Sequence, residues 1–467
     1  MANTGRLWPF TMIACMTTLL AADAVAVSRE LSLAPRLEPF GVLSGQIRDD
    51  NGAPLAGISV QASVVSYPQG RRVLVPPRVS PGIVNSSTET DAMGKYRLDL
   101  PYGVYYVSAQ YHTSNVSEEG AVRVLGGAQK VYYPGTSDIA LAATVTLSGG
   151  ETPGIDFKVA ASTGLRKVFV RVEGPGKAAL KTSPAGMQVA ELRNRVSLDR
   201  MPILGSFLRG THSTSQTMII DGVPNGSYDL LVDGVMEDGA RARGIAPIDI
   251  RGEDLHDVLI TLRPAIDVAG RVIGANSSTS LSFSSLTVRV GARSAKVNPN
   301  GTFVVPGVLI GFYSVTVDGL APEAYVADIQ HGAISLHETA RTPNGPELQA
   351  GLESSPLQVM VANNGGTAEG VVDGREAAAA ATVVLVPRPS RRFVQSYYKS
   401  APVSPAGAFS LRGVAPGAYQ LFAWDKVPDF AWLNPEFMSH WEGRGQPISI
   451  EAGGTVHVRA RLLSIED

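Results

Sequence analysis

A chain of 467 residues is long enough for about three to four domains. Its formal net charge of −2, from 40 basic and 42 acidic residues, lacks the footprint that nucleic acid or an anionic membrane surface demands. Glycine (49) and proline (31) are abundant, charged residues make up only 18%, and long amphipathic helical stretches are missing, which excludes a helical bundle and points to turn-rich all-β domains.

The chain opens on a targeting segment. Arg6 is the one charge before an apolar run from Leu7 to Ala22, and Ala24-Val25-Ala26 supplies a small-x-small cleavage site. Residues 1–26 read as a signal peptide and 27–40 as an exported linker. The apolar run is short for a span and Pro9 interrupts it, so no transmembrane span is expected in the mature chain. Cys15 is the only cysteine. Cleavage after Ala26 leaves no thiol, hence no disulfide and no cysteine zinc site. Lipidation of Cys15 is the competing reading, against which the apolar run continues through Leu19-Leu20.

The first domain, 41–160, begins with a strand from Gly41 to Ile47 and turns at Asp49-Asp50-Asn51-Gly52. It resumes through Pro54-Leu55-Ala56-Gly57 into an alternating strand, Ile58 to Ala62. After a Pro- and Arg-rich loop, Tyr67 to Ser87, the run Gly94-Lys95-Tyr96-Arg97-Leu98 leads into Leu100-Pro101-Tyr102-Gly103-Val104-Tyr105, which reads as a hairpin. The second domain, 166–264, is divergent. It starts at Lys167 to Val172 and carries an Ala- and Arg-rich insert near 177–210 with room for a short helix. The third, 265–362, opens with Ala269-Gly270-Arg271-Val272, and the fourth, 363–463, with Glu369-Gly370-Val371-Val372.

The hairpin sentence is written in every domain. Gly, any residue, Tyr, any residue, Val or Leu recurs around Tyr105, Tyr228, Tyr313 and Tyr419. Such recurrence at domain spacing marks a repeat architecture. Each tyrosine is expected to bury its ring and aim its hydroxyl at a loop carbonyl. Each unit reads as an opening strand, a partner strand, this hairpin and a closing hairpin, about seven strands in roughly 100 residues. The expected fold is therefore all-β: a tandem array of four Greek-key β-sandwich domains. Ala160 to Gly164 is the most extended joint between units, and a semi-rigid rod or arc is expected.

The opening strand, Asn51-Gly52-Ala53-Pro54-Leu55-Ala56-Gly57, Thr90-Asp91 through Arg97, and Pro101 to Tyr105 together resemble a carboxypeptidase regulatory-like domain. The resemblance is strong over 41–160, good over 363–463, moderate over 265–362 and weak over 166–264. It implies a transthyretin-like, seven-stranded sandwich, in a tandem arrangement similar to exported bacterial proteins classed with carbohydrate-binding-like folds. In metallocarboxypeptidases this module sits beside the enzyme and does not catalyse.

Catalytic signatures are missing. None of the seven histidines is followed by Glu at the third position, as a zinc carboxypeptidase requires. No Gly-x-Ser-x-Gly elbow, Walker loop or dinucleotide fingerprint occurs. His331 and His337, six apart, read as solvated loop histidines, and Asp49 to Gly52 as a turn without the further acidic positions of a calcium loop. No metal, cofactor or catalytic residue is expected.

Two features have binding character. Tyr419, Phe422, Trp424, Phe430, Trp432, Phe437 and Trp441 crowd the C-terminal domain. Trp424, Trp432, Trp441 and Phe430 are the candidate ligand-binding residues, since exposed aromatic faces stack on sugar rings; the alternative is a local core pinning the insertion Asp425 to Gly445. The second feature is basic: Gln69-Gly70-Arg71-Arg72 and its analogue Arg388-Pro389-Ser390-Arg391-Arg392. These loops either meet an anionic glycan or envelope surface or are solvated guards of sheet edges. The expected function is an exported, non-enzymatic binding or scaffolding protein of the periplasm, cell surface or extracellular space, partnered by a glycan or an envelope protein. A carbohydrate-binding protein and an accessory subunit of an exported peptidase or glycosidase are the alternatives.

Overall fold

The computed structural model describes residues 40–77, 86–111, 130–136, 139–159, 166–178, 187–195, 200–207, 215–275, 282–340, 347–351, 355–373 and 381–464. The expected signal peptide and linker, with Cys15, and the joint Ala160 to Gly164 fall outside the described residues. The chain is all-β: four transthyretin-like Greek-key β-sandwiches in tandem, each built to one plan.

In every sandwich the opening strand has the outgoing strand antiparallel on one side and the final strand parallel on the other. These sets are Phe40–Arg48 with Lys95–Pro101 and Phe157–Lys158, and Arg166–Glu173 with Ser215–Val223 and Leu255–Thr261. Ile266–Gly274 takes Thr302–Val308 and Leu357–Ala362, and Gly366–Val372 takes Ala408–Val414 and Thr455–Ala460. The facing layer is an antiparallel trio of partner, return and closing strands. In the first sandwich these are Ile58–Ser66, Gly103–Tyr111 and Thr144–Leu147. In the fourth they are Thr382–Pro387, Gly417–Trp424 and Gln446–Ile450.

The recurrent hairpin is therefore not a hairpin. Lys95–Pro101 and Gly103–Tyr111 are consecutive, yet the first pairs with the opening strand and the second with the partner strand. The closing pair parts in the same way. Alternation and a turn residue announce two strands and a corner, but they do not say whether the strands pair or diverge. Here they diverge, and the recurrent tyrosine ties the corner. Tyr105 Oη donates to the Pro101 carbonyl at 2.7 Å, Tyr419 Oη to that of Ala415 at 2.7 Å, and Tyr228 Oη to that of Asn225 at 3.3 Å. Burial pushes the Tyr228 and Tyr419 phenols up, well clear of ionisation at neutral pH. Tyr313 departs from the pattern by accepting from Arg243 of the second sandwich at 3.1 Å.

Alternation does fix which face is buried. Tyr96, Leu98 and Leu100 point inward from the first outgoing strand, while Lys95, Arg97 and Asp99 stay outside. They meet Leu43, Ile47, Ile58, Val60, Tyr105, Val107 and Leu147 in one core. Equivalent aliphatic cores fill the other sandwiches. The glycine of the opening strand has a steric cause. A Cβ at Gly45 would strike the Ile155 carbonyl, and one at Gly370 the Val458 carbonyl, because the final strand crosses there at backbone contact.

The second sandwich differs in its insert. Its insert contains strands Met187–Asn194 and Arg200–Phe207, not a helix, within the described residues. Arg200–Phe207 pairs with Met187–Asn194 and, through Ser206 and Phe207, with Ser215–Val223. This joins the two layers into one continuous eight-stranded sheet folded around its core.

Candidate functional site

The two sequence features with binding character meet each other. The fourth sandwich sends the chain from Trp424 through a 3-10 turn, Ala431–Leu433, into a short helix, Pro435–Ser439. Asn434 caps that helix. Its Oδ1 accepts from the Phe437 backbone N–H at 2.9 Å, and proline follows at the first helical position. The same side chain turns its Nδ2 to the Gly70 carbonyl of the first sandwich at 3.0 Å, in a buried hydrogen bond.

Gly70 sits in the loop after the first partner strand, at φ 79°, following Gln69 at φ 53°. A Cβ there would lie 2.5 Å from Leu433 Cβ. Tyr67 packs edge-on against Phe437, with ring centroids 5.8 Å apart. Arg72 reaches Glu436 at 3.1 Å, bonds the Tyr106 hydroxyl and covers the Tyr106 ring. Burial is the main cause that raises the Tyr67 phenol above its ordinary value, with Arg72 opposing it.

Trp424 is 0% exposed, and Trp432 and Trp441 are each 6% exposed. They form a second core with Val384, Val386, Tyr398, Phe422, Leu433 and Met438, lying on the outer face of the partner and return strands. Phe422 stacks on Trp424 at 4.9 Å, and Trp441 meets Trp424 edge-on at 5.6 Å. Rings enclosed in this way offer no face to a sugar. Phe430 differs: it is 45% exposed, holds φ 63°, and leans on Trp432 at 5.9 Å.

The second basic loop is also occupied. Arg391 donates to the Pro416 carbonyl at 3.1 Å and lies over the Tyr397 ring. Arg392 pairs with Glu442 at 2.6 Å. Neither arginine is the solvated edge guard that the sequence suggests.

The loop histidines are corrected as well. His331 is 7% exposed and ends strand Tyr325–His331. His337 lies in the short helix Leu336–Thr339 and bonds Tyr397 of the fourth sandwich at 3.3 Å. No group of three or more His, Cys, Asp or Glu side chains converges on an ion-sized space among the described residues. No helix among them is long and apolar enough to cross a membrane.

A further junction went unseen in the sequence. Arg193, 7% exposed, bridges Asp229 at 3.2 Å in its own sandwich and Glu347 at 2.6 Å in the third. Its guanidinium lies 3.8 Å from the Phe312 ring centroid. Arg200 adds bonds to the Phe312 carbonyl at 2.6 Å and to Glu347 at 3.2 Å. No periodicity or motif distinguishes these arginines from surface ones. The signal available for the first junction was Asn434-Pro435-Glu436, a helix start placed among aromatics.

No protein-family model matches the chain, and no curated protein sequence matches it. Solved structures overlap it in part. A leucine-rich repeat protein from Bacteroides thetaiotaomicron is 14% identical with a TM-score of 0.19, over 48% of this chain, which spans only 26% of that protein. A streptococcal ancillary pilin is 11% identical with a TM-score of 0.19, over 63% of this chain and 99% of that one. The major pilin subunit of Bacillus cereus is 11% identical with a TM-score of 0.16, over 70% and 99%. Scores this low assign neither a family nor a function.

Proposed function

We propose that this chain is an exported, non-enzymatic β-sandwich protein that binds or scaffolds in a cell envelope. One observation carries the reading. Polar groups that would otherwise present chemistry to solvent are used to hold sandwich to sandwich: Gly70 and Arg72 of a loop on the aromatic insertion, Arg193 of a strand on Glu347, Tyr397 on the Ala327 carbonyl. A chain that commits these polar groups to internal contacts is built to fix the spacing of its surfaces. The signal-like N-terminus supports export, and the strand order of the first and fourth sandwiches supports the carboxypeptidase regulatory-like reading. The test is fractionation of the native cell with affinity capture of the tagged chain. Envelope location with a stable envelope partner is the expected result; retention in the cytoplasm, or hydrolysis of peptides or glycosides by the purified chain, overturns it.

Glycan recognition is a second reading, supported by Phe430 alone among the aromatic candidates because its face is exposed. On a glycan array, Phe430→Ala is expected to abolish any signal while leaving the fold intact. Unchanged binding removes this reading.

A further inference from the structure

The contact between the third and fourth sandwiches contains a buried histidine. His337 has 6% of its side chain exposed. Its Nδ1 lies 3.3 Å from Tyr397 Oη, and that hydroxyl donates to the Ala327 carbonyl at 2.9 Å. A phenol has one proton. With that proton committed to Ala327, Tyr397 accepts from His337 Nδ1–H, which sets the tautomer of the neutral ring. Around it the contact combines backbone groups, an apolar cluster and a 3.5 Å bond from Tyr325 Oη to Asn364 Oδ1. Gly365 N–H donates to the Glu323 carbonyl at 2.8 Å, a Cβ at Gly413 would meet the Pro322 and Ala324 carbonyls, and Ala340, Val394, Tyr397 and Ala415 form an apolar cluster.

The charged and titratable groups around the ring come from both sandwiches. Asp328 Oδ1 is 3.9 Å from Nδ1, but it already accepts from Ser335 Oγ at 2.7 Å and Ile329 N–H at 2.8 Å. Asp328 Oδ2 accepts from Gln330 at 3.2 Å. From the fourth sandwich, Arg391 stands 4.9 Å from the centroid of the same Tyr397 ring. Tyr325 flanks the cluster, His331 ends the neighbouring strand and Glu338 lies beside His337 on its helix. A proton on His337, whose side chain is 6% exposed, adds a second cation to the one that Arg391 already supplies.

We propose that His337 is an acid-operated release between the third and fourth sandwiches, its protonation favouring their separation. The proton acts as a ligand that prefers the separated state, and it can shift the equilibrium only by that preference. Burial is the largest influence on the ring and pushes His337 below its ordinary value; Asp328 and the Ala327 carbonyl oppose this, and Arg391 reinforces it. The sign follows. The packed state binds fewer protons than the separated one, so the contact is full above about pH 6.5 and weakens as pH falls toward the packed-state value.

The test uses the full mature chain. Cys15 is the only cysteine and precedes Ala26, so spin labels go cleanly onto Ser294→Cys and Glu451→Cys, both exposed. Distance distributions are recorded between about pH 7.5 and about pH 5. The separated fraction is expected to rise as pH falls, by up to about tenfold for each unit between the two states' values. His337→Gln, neutral at every pH, is expected to hold the high-pH distribution down to the acid end. Tyr397→Phe is expected to weaken the contact while the acid response remains. His337→Gln tracking the parent chain through the titration, or a parent distribution that does not move, overturns the proposal. Proton resonances of the His337 ring, followed in parallel, overturn it if they titrate at or above the free-histidine value.

Discussion

Replacing Gly70 by alanine separates two costs that coincide at that position. The first is conformational. At φ 79° any residue with a Cβ enters the left-handed region, at roughly 1–2 kcal/mol. The second is a collision across sandwiches, since the new methyl carbon would sit 2.5 Å from Leu433 Cβ and 3.1 Å from the Leu433 backbone. Overpacking of this kind costs about 1–3 kcal/mol. Only the second cost bears on the contact between the first and fourth sandwiches. It corresponds to roughly a 5- to 150-fold loss of the closed population. Gly57 is the control: it has φ 68° and nothing within 4 Å of the added carbon, so Gly57→Ala carries the backbone cost alone. The ion pair beside Gly70 does not rescue the contact. Arg72 and Glu436 have side chains 20% and 60% exposed, and such pairs contribute at most about 1 kcal/mol. Paired labels on Met93→Cys and Glu451→Cys, read as a distance distribution, should lengthen in Gly70→Ala and stay put in Gly57→Ala. Equal distributions in the two variants would refute the close approach as the cause.

Arg193→Met should uncouple the second and third sandwiches. It leaves Glu347 and Asp229, with side chains 12% and 16% exposed, short of a partner, at about 3–5 kcal/mol when a buried pair is broken. Arg200 remains on Glu347 at 3.2 Å, so the low end is expected. Denaturant midpoints in a double-mutant cycle with Glu347→Gln should give a coupling above about 1 kcal/mol, and additive effects would count against a shared pair. At the corners, Tyr419→Phe removes a 2.7 Å bond to the buried Ala415 carbonyl and should cost about 1–3 kcal/mol. Tyr228→Phe loses a 3.3 Å bond and should cost less in the same unfolding assay.

The fold was legible because burial alternates with period two and the corner residues repeat. Leu98, Leu100, Tyr105 and Val107 announce an inward face without reference to any partner. Pairing was not legible. The run from Gly407 to Leu421 looks like a hairpin because a corner between sheets needs the same alternation and the same turn chemistry as a turn within one. What separates the two is the tyrosine hydroxyl reaching four residues back to a carbonyl, a constraint on the space between layers. The described part of the second domain's insert is strand for the opposite reason. Its alanines and arginines favour helix locally, while the open edge of Ser215–Val223 provides strand pairing for Arg200–Phe207.

The candidate site was half legible, and the missing half has one physical origin. Aromatic density between Trp424 and Trp441 marks a cluster, but sequence alone cannot divide ring faces between solvent and core. Enclosing Trp424 takes Phe422, stacked on it from the same strand, and Trp441, edge-on from beyond the helix. The outer face of a return strand would ordinarily be wet. In the fourth sandwich the insertion covers it, and the covered strand carries apolar residues on both sides, from Leu421 through Trp424. The insertion in turn presents Leu433 and Asn434 outward, where a residue without a side chain can approach. The paired loss of alternation in one sandwich and the left-handed glycine in another are two ends of a single contact. The first basic loop and the aromatic insertion therefore belong to one junction, and a search for ligands is better directed at what that junction leaves uncovered, beginning with Phe430.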